Sequence, residues 1–322
     1  MKQLALAVGA AILVVAGGAS RCGVEAAPRT RLYLTFVSHN EDSANELCAP
    51  VNATQVRYLA NRAALLRVAQ TIYQGGGAYD MQADWEWISR TGQWETDEIR
   101  RTTTFGQGII QLLATAAPNQ IRVDAHSHEH SGYNYADVTY MLQSMGAPST
   151  GVVGGFISNP ASSADWVRFR GPLTGQRYPG FTWQATTLWG GGSASHSSDQ
   201  SASGIWRPKN PVEFFTDDSA LTLINIGNGT SENGAYTSAG AVDVFQRLQA
   251  GQLEQGRMYT ASLMLSQCDF DTNANVLPYI TGILEAAAPY VASGDVVWAP
   301  LPEMARIWRD EYGSQAALVR LR

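Results

Sequence analysis

The stretch Asn119–Gly146, "NQIRVDAHSHEHSGYNYADVTYMLQSMG", decides the fold. Its opening, "NQIRVDAHS", is the alternating, β-branched pattern of a strand. Its close, "YADVTYMLQSMG", has helical periodicity and stops at Gly146, a residue suited to a helix C-terminus. Between them lie His126, His128 and His130, three of only five histidines in the chain. Strand, polar loop and helix make one βα unit.

The unit recurs along the chain. "RLYLTFVS" (Arg31–Ser38) reads as a strand, and "NATQVRYLANRAALLRVAQTIYQGG" (Asn52–Gly76) as a helix with apolar residues at three- and four-residue spacing. "AYDMQADW" (Ala78–Trp85) reads as a second strand and its exit. "TDEIRRTTTFGQGIIQLLATAA" (Thr96–Ala117) reads as one helix with a Thr96 cap and acidic residues in its first turn. "GVVGGFIS" (Gly151–Ser158), "ALTLINIG" (Ala220–Gly227), "MYTASLMLSQ" (Met258–Gln267) and "DVVWAPL" (Asp295–Leu301) are further strands, and "NVLPYITGILEAAAPYVASG" (Asn275–Gly294) is a helix. Such alternation predicts a parallel α/β fold, whose ligands sit in the loops beyond the carboxyl ends of the strands. The polar clusters fall at those ends: "SHNEDS" after the first strand, Asp84 and Trp85 after the second, the histidines after the third.

The bulk properties narrow the function. With 322 residues, 45% of them hydrophobic, the chain has ample core for one large domain, expected over residues 28–322. A formal charge of −6 and the absence of a Lys/Arg cluster argue against nucleic acid or an anionic membrane surface as partner. Nine Trp and thirteen Tyr would suit a cleft that stacks on sugar rings. Lys2 followed by the apolar Leu4–Ala19 reads as a secretory signal over residues 1–27, which predicts an exported, periplasmic or extracellular protein with no stable membrane span after cleavage. The run is short and rich in Gly and Ala, which disfavours a permanent anchor. Cys22 offers a lipoprotein alternative, against which Arg21 stands where a small residue belongs. "TLWGGGSASHSSDQSASGIWRPK" (Thr187–Lys209) reads as a long loop or lid carrying His196.

Three histidines at a strand exit, with His39, Glu41 and Asp42 at the end of a neighbouring strand, form a donor set for a divalent metal ion such as Zn²⁺. His126 and His130 would share a face across a helical turn, whereas His126 and His128 would do so on an extended backbone.

With these motifs the chain resembles the polysaccharide deacetylase (NodB-homology) family. "LTF" (Leu34–Phe36) matches that family's first motif, although the acidic pair Glu41-Asp42 arrives later than in the family; "HSHEH" matches its histidine pair at His126 and His130; "RYPG" (Arg177–Gly180) matches its Arg-x-Pro run. The resemblance implies an irregular (β/α)7-type barrel of parallel strands that removes N- or O-acyl groups from a polysaccharide or oligosaccharide. It places a metal on Asp42, His126 and His130, with Glu41 as base and Arg177 orienting a carboxylate. Asp84, Trp85, Arg177 and His196 would contact substrate. Where the family carries a closing histidine this chain has Gln267 and Cys268, so His128 or His196 would supply the catalytic acid. First and last strands of such a barrel are neighbours, which implies a Cys48–Cys268 disulfide. Two other readings compete. A glycoside hydrolase could use Glu41, Asp42 and Asp84, and a carbohydrate-binding protein could have lost turnover. "VDAHSHEHS" also resembles the opening of the PHP phosphoesterases, but only His196 lies downstream to complete such a site.

Overall fold

The computed structural model describes residues 28–41, 54–129, 131–155, 165–190, 202–229 and 236–321. In chain order the first half runs β1 (Arg31–Asn40), α1 (Gln55–Gln74), β2 (Tyr79–Ala83), α2 (Trp85–Trp94), α3 (Asp97–Thr103), α4 (Ile109–Ala116), β3 (Ile121–His126), α5 (Tyr135–Ser144) and β4 (Val152–Gly154). The second half runs β5 (Leu173–Thr174), β6 (Thr182–Trp183), β7 (Thr187–Trp189), β8 (Ala202–Ser203), β9 (Ile205–Trp206), β10 (Ile224–Ile226), α6 (Ala239–Gln249), β11 (Met258–Ser266), α7 (Val276–Ser293), β12 (Val296–Trp298), α8 (Leu301–Asp310) and β13 (Val319–Arg320).

The main sheet follows the order β11-β1-β2-β3-β4-β7-β10-β9, with β12 also on β1. Every pairing along it is parallel except the last, β10 with β9. The sheet curls until its ends meet: Ser262 N on β11 donates to Asn228 O beyond β10 at 2.7 Å. Gly229, at φ +69°, makes this seam possible, because a Cβ there would lie 2.6 Å from the Ala261 Cβ. The result is an irregular parallel barrel: the parallel α/β sheet expected of the alternation, closed as the resemblance implies. Among the described residues no helix is long and apolar enough to cross a membrane.

Alternation along the strands divides the side chains between two environments. Tyr33 and Val37 of β1, Trp189 of β7, Ile224 and Ile226 of β10 and Met258 and Met264 of β11 cluster inside, and Trp189 Nε1 donates across the interior to Ser262 Oγ at 2.9 Å. The apolar face of α8 packs on the same cluster. Outward-facing residues of β2 and β3 instead meet α1, α4 and α5. On α1, Leu65, Val68 and Ile72 are buried, each contributing about 1.5–3 kcal/mol.

The helix expected over Thr96–Ala117 is two. Gly106 (φ +87°) and Phe105 (φ +55°) interrupt it, and Thr104 turns its hydroxyl onto the Gln107 carbonyl. The second piece gains a remote cap, since Glu95 Oε2 accepts from Ile109 N at 3.0 Å. Glu95 is itself buried and paired with Arg62. Helix α2 follows directly on β2, and Asp84, read in the sequence as part of the strand exit, starts it by accepting from Trp87 N at 2.9 Å. β12 ends at Trp298, earlier than expected, because Pro300 opens α8.

Candidate functional site

Parallel pairing brings four strand ends together. His39 lies opposite Gln82, Asn40 opposite Ala83, Ala83 opposite Ala125, and His126 opposite Gly154. Thr35, Val37 and His39 alternate onto the same face of β1, as Asp124 and His126 do on β3, so both histidines reach the barrel mouth. Their rings stack with centroids 4.2 Å apart. Glu41, one residue beyond β1, turns its carboxylate into the same corner.

Glu41 is the hub. Its Oε1 lies 2.7 Å from His126 Nε2 and 3.5 Å from His39 Nδ1, and its Oε2 lies 3.2 Å from His128 Nε2. His126 Nε2 is also 3.2 Å from His128 Nε2. On the other side of the His126 ring, Nδ1 faces Gly154 O at 3.1 Å, and the same carbonyl accepts from Tyr135 Oη at 2.6 Å. A carbonyl only accepts, so Nδ1 carries the proton in this contact and Nε2 is left pointing at the carboxylate. Gly155, at φ +62°, roofs the ring, and a Cβ there would overlap His126.

Burial alone would raise the Glu41 carboxyl, but His126, then His128 and His39, outweigh it and hold it well below the usual carboxylate range. Asp84 goes the other way. Burial lifts its carboxyl well above that range; the Trp87 N–H offsets part of the rise, Glu41 and Glu86 add to it, and His128 opposes it. Two carboxyls on adjacent strand exits are therefore pushed in opposite directions.

His39, Glu41 and His126 each offer a ligand atom, all within 4.8 Å of one another. Two imidazoles and a carboxylate suit Zn²⁺ or a related divalent ion. The corner is thus built from the residue types that hold a metal, and the Nδ1 contact with Gly154 O is the outer contact that usually orients such a ligand.

No protein-family model matches the sequence, and no curated protein matches it. The crystal structure of a PuuE allantoinase is similar to this chain at 14% sequence identity, with a TM-score of 0.49 over 87% of this chain and 90% of that one. Identity that low leaves the chemistry to this chain's own residues.

Of the residues singled out in the sequence, His126, His128, Glu41 and Asp84 come together at the mouth, and His39 joins them. Asp42, His130, His196 and Cys48 lie outside the described residues, so the expected ligand set and the Cys48–Cys268 pairing extend beyond them. Cys268 follows β11 in the turn Gln267–Asp269, and β11 does neighbour β1. Gln267 is buried and turned to α1, where its Nε2 donates to Asn61 Oδ1 at 2.6 Å and its carbonyl accepts from Asn61 Nδ2. Trp85 stacks on Tyr133, centroids 4.5 Å apart and planes 3° from parallel, and Arg177 covers Tyr133 at 5.0 Å. Arg177 also donates to Ser131 O at 2.8 Å, so it clamps the loop that follows the histidines.

Asp137 carries no signal in the sequence beyond a helix first-turn acid, yet it organises this rim. Its carboxylate accepts the backbone N–H groups of Asn134, Gln176, Arg177 and Tyr178, each at 2.9 Å. Tyr133 and Gly155 were equally silent, because stacking partners and close approach exist only once the loops are assembled.

Proposed function

We propose that this chain is an exported, metal-assisted hydrolase that removes N- or O-acyl groups from a carbohydrate polymer. The observation that carries the reading is the convergence of His39, Glu41 and His126 at the barrel mouth, with His128 against the same carboxylate. A non-catalytic sugar binder has no use for that corner. The polysaccharide class rests on the deacetylase resemblance and on the Trp85–Tyr133–Arg177 stack at the rim, and export rests on the apolar N-terminal stretch.

His39, Glu41 and His126 would hold the ion, zinc being the best match to the donors. When bound, it would supply Lewis acidity toward water and the acyl carbonyl. His128 is placed to take the proton that the attacking water loses: the Glu41 carboxylate orients its ring and stabilises the charge it gains. A second reading, glycoside hydrolysis, draws on the opposite directions in which the Glu41 and Asp84 carboxyls are pushed, the pattern of an acid and nucleophile pair. Three imidazoles around Glu41 favour the first reading, since they occupy the carboxylate a glycosidase would keep for the sugar.

Metal analysis of the purified protein beside a Glu41→Gln/His126→Ala variant tests the proposal, together with acetate and reducing-end assays on acetylated chito-oligosaccharides. About one equivalent of divalent metal, lost in the variant, with acetate release from the parent is expected. No metal after reconstitution, or new reducing ends without acetate, would overturn it in favour of the glycosidase.

A further inference from the structure

His126 and His128 meet the same carboxylate, but they are held in different ways. The His126 side chain is 1% exposed, stacked on His39 and roofed by Gly155. The His128 side chain is 31% exposed; it meets His126 edge-on, with Nε2 3.2 Å from Glu41 Oε2. Close packing locks a buried ring, whereas a ring with one flank in solvent takes its direction chiefly from its backbone.

That backbone is unusual directly after His128. Glu129 (φ +55°), Ser131 (φ +58°) and Gly132 (φ +75°) are left-handed, a conformation that glycine adopts freely and residues with a Cβ do not. Non-glycine residues persist there when their surroundings hold them, and such positions gather at functional sites. Locally, Ser127 Oγ accepts from Glu129 N at 2.9 Å and donates to Tyr133 O at 3.3 Å. Two distant arginines complete the hold. Arg177 donates to Ser131 O, and Arg168 donates a charge-assisted hydrogen bond to Glu129 Oε2. Arg168 is itself braced. It lies on the helical turn Asp165–Arg170 with the buried Trp166 and Phe169, its guanidinium 4.7 Å from the Phe169 ring. A glutamate at position 129 gives up the backbone ease of glycine and gains what glycine lacks, a carboxylate for Arg168.

We propose that Arg168 is a positioning residue for His128, acting through Glu129 and the left-handed turn it anchors. The role rests on the hydrolase reading above, in which His128 takes the water proton. The ion pair fixes the direction in which the chain leaves His128, and with it the place of Nε2 beside Glu41. Its side chains are 36% and 21% exposed, and an ion pair so open to water adds little stability by itself. Its use is directional.

The test compares the parent with Arg168→Gln, Arg168→Lys and Glu129→Gly, all loaded with zinc, on an N-acetylated chito-oligosaccharide. Displacing a reacting group by about 1 Å can cost about 10²-fold, so Arg168→Gln should lower kcat by about 10–100-fold at unchanged KM and metal content. Arg168→Lys keeps a charged donor for Glu129 and should recover most of that loss. Glu129→Gly separates positioning from stability, because it relieves the backbone while removing the anchor. Its melting temperature should hold or rise while kcat falls as in Arg168→Gln. A merely structural ion pair would do the reverse, lowering the melting temperature and sparing kcat. Independently of turnover, NMR spectra of the metal-free protein with isotope-labelled histidines should show the His128 ring signals displaced in Arg168→Gln and Glu129→Gly and those of His126 kept. Parental kcat in Glu129→Gly, an unmoved His128 ring, or loss of metal in step with kcat would overturn the assignment. A zinc-loaded parent without turnover would sink the hydrolase reading, and the histidine spectra alone would then decide whether Arg168 places His128.

Discussion

Replacing Asp137 with Asn changes almost no volume but exchanges one carboxylate oxygen for an amino group. In the parent, Oδ1 accepts from Arg177 N and Tyr178 N and Oδ2 from Asn134 N and Gln176 N, all at 2.9 Å, and the residue is fully buried. Asn can satisfy one pair and must point its own donors at the other. Hydrogen bonds to a charged group contribute roughly 1.5–3 kcal/mol each, so losing two, with two donors then facing donors, should cost about 3 kcal/mol or more. Asp137→Ala should cost a similar amount, because the loop at 175–178 can relax toward water once the carboxylate is gone. Urea unfolding followed by far-UV circular dichroism gives both values from shifts in midpoint at constant m. If Asp137→Asn unfolds within about 0.5 kcal/mol of the parent, the carboxylate is filling space and not organising the rim, and the reasoning is wrong.

Two further outcomes follow from the barrel interior and its mouth. Burial, then Asp124, raises the Asp80 carboxyl, and burial also raises that of Asp124, so the folded state holds protons that the unfolded chain releases. The sign is that of depressed stability: above the unfolded Asp value of about 3.9, stability falls as pH rises toward the folded values. Asp124→Asn, which can donate to Asp80 permanently, should flatten that decline and gain on the parent between pH 5 and pH 8 (about) in thermal melts. At the mouth, Gly155→Ala should cost about 1–2 kcal/mol from its left-handed backbone and push the His126 ring off Gly154 O, weakening metal affinity by about 10–100-fold in a competition titration. Unchanged metal affinity in that variant would mean His126 does not need its present orientation.

Much of the barrel was legible in one dimension. A strand is recognisable from its own alternation and a helix from its own period, so Arg31–Ser38, Asn119–Ser127 and the Asn275–Gly294 helix needed no partners to be read. The break at Gly106 and the helix from Trp85 to Trp94 were not legible, because the first depends on a cap lent by Glu95 and the second starts at Asp84, which reads equally well as a strand exit. Histidines at a strand exit signalled a site, and the pairing of His126 with the β1 exit region was within reach of the sequence.

What the sequence determined by itself is therefore the alternation of elements, the placement of polar clusters at the carboxyl ends of strands, and the chemical type of the donors. Only the tertiary structure decided which donors meet. Register sets His126 opposite Gly154 and Asn40 opposite Ala83, and these pairings join segments that no local pattern relates. Environment then splits identical chemistry: Glu41 and Asp84 are both carboxylic acids leaving neighbouring strands, yet three imidazoles pull one below the usual carboxylate range while burial pushes the other above it. Charge state belongs to the surroundings of a side chain, and those surroundings are assembled from distant parts of the chain.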